Sequence, residues 1–230
     1  SYHNQQNTYG SRQWNAAQTN AYLNAIFQTS FDDSATDLWD DHHHNLSAGL
    51  SFNYDGYNEA IRLIGDEAIR LDNMEVTPGV FAEYTYTYKD KVTLLVGIRE
   101  DYSTRYGFFT TPRMNLRYAP FEWWTLRGSV GLGYRSPNAI ADNAAYLASN
   151  RIYYFGDEQL VIGDGQLAQE RSMNTGLSTV FYIPIGKREL QLSGEYYYTK
   201  FLDGVVADMD RSLQGITLYN MHDVDGAQYF

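Results

Sequence analysis

The sequence predicts an all-β chain whose antiparallel strands belong to an up-and-down transmembrane β-barrel, with about eight or nine strands present. Three observations carry that expectation. Apolar and polar side chains alternate with a period of two along the chain, the connections between alternating runs are in turn short and long, and aromatic residues end the apolar runs. A period of two with β-branched and aromatic residues marks paired strands, because successive side chains of a strand point to opposite faces.

The first candidate strand, Ala21 to Phe31, alternates imperfectly. In the next, Leu46, Ala48, Leu50, Phe52 and Tyr54 oppose Ser47, Gly49, Ser51, Asn53 and Asp55. Val80, Ala82, Tyr84, Tyr86 and Tyr88 then share one face, and after the KDK hinge Val92, Leu94, Val96 and Ile98 do the same. Met114, Leu116 and Tyr118 oppose Arg113, Asn115 and Arg117, and Trp124, Leu126, Val130, Leu132 and Tyr134 oppose Arg127, Ser129 and Arg135. Met173, Leu177, Phe181 and Ile183 form the next apolar row, followed by Leu190, Leu192, Tyr196 and Tyr198, with a further strand beginning at Ile216. Each strand is expected to be roughly ten residues long, and no stretch has helical periodicity.

KDK, Ala119 to Trp123 and IPIGKR are short connections; Asn58 to Glu75, Ser136 to Glu170 and Phe201 to Gly215 are expected to be long loops. Such alternation gathers the long loops at one end, as in outer-membrane barrels with short periplasmic turns. Trp124 and Tyr134 are ten positions apart on one face. At about 3.3 Å per residue and a tilt near 45°, their rings are separated by roughly 23 Å along the axis, close to the ~25 Å apolar band of such barrels. Tyr88, Tyr102, Tyr118, Trp124 and Tyr134 are therefore expected as lipid-interface aromatics. The opposite face, expected to line the lumen, carries Glu83, Arg99, Asp101, Arg113, Arg117, Arg127, Arg135 and Glu195. Glu100 falls on the lipid face, which calls for a bulge or a position at the upper interface.

Composition bounds the partners. Among 230 residues the net charge is −11, which argues against a nucleic-acid partner. Tyr occurs 21 times and Cys is absent, so a disulfide framework and a thiolate metal site are both excluded. No apolar run approaches the roughly 18 residues of a membrane-spanning helix, and the opening SYHNQQNTYG has no signal-peptide pattern, so the chain is expected to be unexported or a processed piece.

TTPRMNLRYAP, LRGSVGLGYRSPNAIADNAAYLASNR, SFNYDGYNE, FAEYTYTYKDKVTLLVGIREDY and GEYYYTKFLDGVVADMD together resemble the barrel of TonB-dependent outer-membrane receptors of the Bacteroidetes type. The resemblance implies a complete barrel of about 22 strands filled by a separate plug domain. The chain is accordingly expected to be a partial barrel over residues 1–230, the middle portion of a longer receptor, without its plug, its TonB-box segment or the remaining strands, with Phe230 at a truncation point. The implied activity is import of a scarce nutrient across the bacterial outer membrane with energy from TonB, and no covalent chemistry. The implied partners are outer-membrane lipid, TonB through the plug, and a small ligand. A ferric siderophore leads, ahead of cobalamin, another metal chelate or an oligosaccharide. A passive porin and a soluble all-β binding module are the rival classes, with an outer-membrane hydrolase behind them.

No nucleophile, base and acid stand in a catalytic arrangement, so no catalytic residue, cofactor or metal is assigned. His42, His43 and His44 after Asp40 and Asp41 invite a metal reading, but three consecutive side chains diverge, and a solvated periplasmic turn is the plainer expectation. Asp157, Glu158 and Asp164 lack the ligand spacing of a calcium loop. In the segment after Tyr134, the resemblance places a loop that folds toward lumen and plug. Arg135, Asn138, Asn143, Tyr146 and Arg151 are its ligand- or plug-contacting candidates, with tying of the loop to the rim as the alternative for Arg135 and Asn138. Haem receptors of the wider family carry a histidine after an element like Arg135-Ser136-Pro137; none lies between Asn138 and Asn150, which argues against haem.

Overall fold

The structure is a computed structural model that describes residues 1–31, 41–62, 68–138, 141–142, 144–148, 152–155, 158–159, 167–208 and 215–221. Its main body is a single antiparallel sheet of nine strands, paired in chain order: β1 (Tyr2–Tyr9), β2 (Arg12–Ser30), β3 (His42–Arg62), β4 (Ala68–Tyr88), β5 (Val92–Ser103), β6 (Gly107–Phe121), β7 (Trp124–Arg135), β10 (Glu170–Ile185) and β11 (Arg188–Asp203). β8 (Ile152–Phe155), β9 (Glu158–Gln159), β12 (Val205–Asp208) and β13 (Gly215–Asn220) make a second sheet of four strands. The main sheet does not close on itself: β1 and β11 are its two edges.

Register carries the alternation across the sheet. Tyr84 lies opposite Val96, Val96 opposite Met114, Met114 opposite Val130 and Val130 opposite Thr175, so one continuous face is apolar. That face has no protein cover, and Leu50 is 62% and Ile98 56% exposed. An uncovered apolar face of this extent is uncharacteristic of a water-surrounded sheet, which buries one side against another layer. At the short-turn end the face carries an aromatic cluster: Phe121 and Trp123 stack at 5.1 Å, and Trp124 and Phe181 stack at 6.1 Å. Trp124 Nε1 donates to Thr179 Oγ1 at 2.9 Å. At the other end Tyr102 packs on Phe108 at 4.8 Å.

The KDK hinge is a tight turn in which Lys89 and Asp90 have φ of 48° and 55°. Two left-handed residues are what a primed hairpin turn requires to match the strand twist. Lys89 Nζ also reaches Asp41 Oδ2 at 3.1 Å, and its N–H donates to Asp41 O at 3.0 Å, so this turn fastens the start of β3.

Three expectations are corrected. First, β2, β3 and β4 are 19, 21 and 21 residues long, and most of Asn58 to Glu75 is paired strand, with Asn58 opposite Asp72. Second, the loop asymmetry is weaker than expected, because β1 to β2 and β5 to β6 also turn tightly at the long-loop end. Third, the strand at Ile216 exists as β13, but it pairs in parallel with β8 in the second sheet. Of the two ways to accommodate Glu100, the bulge is absent: β5 pairs regularly through it, between Val80 and Thr110, and Glu100 accepts a hydrogen bond from the Thr110 hydroxyl.

In the full-length protein folded into bilayers, Val130→Arg is expected to lower the unfolding free energy by about 2–4 kcal/mol, as a cation at mid-bilayer does. Ser129→Arg on the opposite face is expected to change it by less than about 1 kcal/mol. Denaturant titration of the two variants compares them, and equal effects would contradict the assignment of faces.

Candidate functional site

The polar face of the main sheet gathers the charges. Glu83 lies opposite Gly97, and Gly97 opposite Arg113, so the Glu83–Arg113 ion pair spans the glycine between them. A Cβ at Gly97 would stand 3.2 Å from Arg113 Cγ. Arg99 Nε and Nη2 donate to both oxygens of Asp101 at 2.6 and 2.7 Å, and Nη2 also donates to Ser51 Oγ at 2.7 Å. Asp101 is buried because Gly79 opposite it has no side chain; a Cβ there would collide with Asp101 Oδ1. Arg117, Arg127 and Glu195 share this face through the register row Arg117, Arg127, Ser178, Glu195.

Toward the long-loop end this wall and the segment after β7 enclose a cavity of about 530 Å³, lined by Asp55, Tyr57, Glu75, Arg99, Asp101, Tyr134 and Asn138 among others. Two carboxylates hold that segment across the sheet, from β7 to β3 and β4. Glu59 Oε1 accepts from Trp14 Nε1 at 3.1 Å, and its Oε2 from Asn138 Nδ2 at 3.2 Å. Glu75 Oε1 accepts from Ser136 Oγ at 3.0 Å and Ser103 Oγ at 2.6 Å. Arg135 binds Glu170 at 2.6 Å and both oxygens of Asp142 at 3.0 and 3.1 Å. Asp142 in turn accepts from the Asn138 N–H at 2.9 Å.

Glu59 is 2% exposed. Burial pushes its carboxyl above the usual carboxylate range, and the hydrogen bonds from Asn138 and Trp14 offset part of that rise. At about 3.3 Å per residue and a 45° tilt, Glu59 lies some 30 Å above Leu46, beyond an apolar band of ~25 Å. The Tyr57 hydroxyl nearby is likewise raised, by burial first and then by Asp55, Glu59 and Glu75.

Of the sequence candidates, Arg135 and Asn138 have these tying contacts, whereas Asn143, Arg151 and the Tyr146 side chain lie outside the described residues, as do Asp157 and Asp164. Tyr134 departs from its expected place in the outward aromatic row: its ring lies 4.9 Å from Phe109, the register partner of Asp101, and faces the cavity. Pairing of β6 with β7 stops at Arg113 and Gly131, three residues before Tyr134. The histidines do not form a turn. His42 and His44 open β3 opposite Tyr88 and Tyr86, and their Nδ1 atoms lie 2.6 Å from the hydroxyls of Tyr86 and Tyr84. Among the described residues no group of three His, Cys, Asp or Glu is placed to hold a metal.

Glu59, Glu75, Asp55 and Tyr57 were not among the sequence candidates. Their signal was the rhythm Asn53, Asp55, Tyr57, Glu59, which continues the polar row of β3 past its last outward aromatic, Tyr54.

A family model described as the TonB-dependent receptor-like beta-barrel matches residues 1–228. The chain belongs to this family. A TonB-dependent barrel explains the uncovered apolar face and the polar wall together, and bacterial outer membranes are where the family resides. The chain is 25% identical over 157 residues to the probable TonB-dependent siderophore receptor PirA of Acinetobacter baumannii, covering 64% of this chain and 21% of that protein. The crystal structure of siderophore receptor PirA from Pseudomonas aeruginosa matches 95% of the chain and 42% of its own length, with TM-score 0.59 and 14% identity. The Serratia marcescens hemophore receptor HasR, in complex with HasA and heme, matches with TM-score 0.62 and 16% identity over 91% of this chain and 38% of its own. The chain thus spans well under half of these relatives.

Glu59→Gln keeps one acceptor oxygen, enough for the Trp14 N–H, while its amide NH2 cannot accept from Asn138 Nδ2. Because the folded carboxyl titrates above its unfolded value, its contribution is most favourable below the ordinary carboxylate range and is lost as pH rises through the raised value. Glu59→Gln should therefore remove that segment of the stability–pH curve, and Glu59→Ala should cost about 1–3 kcal/mol by leaving the Trp14 N–H buried without an acceptor. Unfolding of both variants from pH 4 to 8 tests this; an unaltered pH curve in Glu59→Gln contradicts it. Gly79→Ala is expected to displace Asp101 and cost about 1–3 kcal/mol by overpacking, read in the same unfolding assay.

Proposed function

We propose that this chain is part of the wall of an outer-membrane importer that takes up a ferric siderophore with energy delivered through TonB. Membership of the TonB-dependent receptor family carries the reading, and the siderophore receptors among its relatives favour that cargo. In this reading the outward apolar face, with Tyr88, Tyr102, Tyr118 and Trp124 at its ends, meets lipid. Glu83, Arg99, Asp101, Arg113, Arg117, Arg127 and Glu195 line the lumen, the space that the plug domain occupies in this reading. Arg135 and Asn138 hold the segment after β7 over the cavity, where an incoming ligand meets it, and Asn143, Tyr146 and Arg151 belong to the same loop.

The arrangement supports passive capture rather than bond-making. Paired charges leave the wall polar yet nearly neutral where Arg99 meets Asp101 and Glu83 meets Arg113, so a solute slides past without a deep electrostatic trap. Energy input then has to come from elsewhere in the receptor, which is the role the reading gives to TonB.

Deletion of the full gene is expected to abolish uptake of one labelled ferric siderophore while cobalamin and glycan uptake stay normal. Deletion of TonB should abolish the same uptake. Unchanged siderophore uptake in the first strain removes the proposal; uptake that persists without TonB favours a passive porin.

A further inference from the structure

On the outward face, at the foot of β3 and β4, two histidines interrupt the apolar surface. His42 and His44 lie opposite Tyr88 and Tyr86, and the rings interleave in the order Tyr88, His42, Tyr86, His44, Tyr84. Successive ring centroids are 4.6, 5.8, 5.2 and 6.0 Å apart. On the β5 side the ladder is bordered by Val92 and Leu94, the register partners of Tyr88 and Tyr86. β2 and β5 flank β3 and β4, so the patch borders neither an open sheet edge nor the interior that a plug occupies.

The depth of the ladder indicates what it meets. Tyr88 ends β4 just before the KDK turn, and Tyr84 stands four residues above it. At about 3.3 Å per residue and a 45° tilt, the ladder covers roughly 9 Å of height. The headgroup layer on each side of the hydrocarbon core is roughly 5–8 Å thick. The rings therefore span the level at which the phosphates of the periplasmic leaflet meet its acyl chains. Each histidine Nδ1 lies 2.6 Å from a tyrosine hydroxyl, of Tyr86 for His42 and of Tyr84 for His44. A hydroxyl that donates to Nδ1 fixes the ring and leaves its proton on Nε2, the nitrogen farther from the backbone.

We propose that His42 and His44, within this tyrosine ladder, form a binding site for the headgroup of a zwitterionic phospholipid, phosphatidylethanolamine, in the periplasmic leaflet. The two Nε2–H groups donate to oxygens of its phosphodiester. The ammonium meets the tyrosine ring faces and the carboxylates at the turn. Lys89 shows that this arrangement suits an ammonium: its Nζ lies 5.5 Å over the Tyr88 ring and 3.1 Å from Asp41 Oδ2. Local charge selects the zwitterion. Lys89 and Lys91 are balanced by Asp41 and Asp90, and the sequence adds Asp32, Asp33, Asp37 and Asp40 before β3, so a lipid with net negative charge is repelled. The inference goes beyond the import reading: it needs the sheet to stand in a bilayer and is independent of the cargo.

Native mass spectrometry of the detergent-solubilised full-length receptor, titrated with phosphatidylethanolamine or phosphatidylglycerol of the same acyl chains, tests the site. Wild type is expected to retain phosphatidylethanolamine about tenfold more tightly than phosphatidylglycerol. The His42→Phe/His44→Phe pair keeps a stacked aromatic ladder without ring donors and should weaken phosphatidylethanolamine binding about tenfold. Either single Phe variant should lose part of that affinity, and both stand in if the pair fails to fold. His44→Gln, whose amide both donates and accepts, should bind between wild type and His44→Phe. His43→Phe, on the opposite face of the same strand beside Thr87, should bind as wild type does. Absence of phosphatidylethanolamine binding, equal affinity for phosphatidylglycerol, or undiminished binding by the Phe variants overturns the site. So does an equal loss in His43→Phe, because the lipid would then not lie on the outward face. The measurement needs neither siderophore nor TonB, so it and the uptake experiment can fail separately.

Discussion

The main sheet depends on an antiparallel ladder that satisfies backbone N–H and C=O groups from strand to strand. Each strand of the main sheet from β2 to β10 is paired on both sides, in chain order. In a hydrocarbon surround no other partner for those groups exists. The ladder also fixes which side chains share a face, so the apolar exterior and the charged wall are two consequences of one register. A slip of one residue would turn Val96 and Met114 inward and Arg113 outward, which makes the register self-enforcing.

Within that frame the wall uses small residues to let large charged ones lie flat. Gly97 sits between Glu83 and Arg113, and Gly79 opposite Asp101. These glycines weaken the strand locally, yet Gly97 lets the Glu83–Arg113 pair reach across strands and Gly79 makes room for the Arg99–Asp101 pair along β5. The polar wall is thus built around such pairs. The cavity at the other end is closed differently, by neutral donors from Ser136 and Asn138 to carboxylates on β3 and β4.

Much of the membrane-crossing part was legible because burial in lipid imposes strict alternation. Leu46 to Tyr54 and Val92 to Ile98 could be read as strands with their faces assigned. Above the apolar band that signal fades. Gly56, Asn58 and Ala60 on the outer side of β3 face water, as polar residues do on the inner side, so the hydrophobic period vanishes while hydrogen bonding continues. Alternation therefore does not reveal the paired upper halves of β3 and β4, nor the roles of Glu59 and Glu75 there. His42 and His44 misled for a similar reason: their polar character suggested a turn, whereas stacking on Tyr84, Tyr86 and Tyr88 keeps them in the strand.

The residue order alone determined the period, the two faces and the family, since each follows from local alternation or from short motifs. Tertiary structure decided which charges meet. Glu59 and Asn138 are 79 positions apart, and Trp14 and Glu59 are 45 apart. Such partners become neighbours only after several strand registers are set in sequence and the chain after β7 turns back over the sheet. No local pattern encodes that return, because its direction comes from contacts summed over the whole wall.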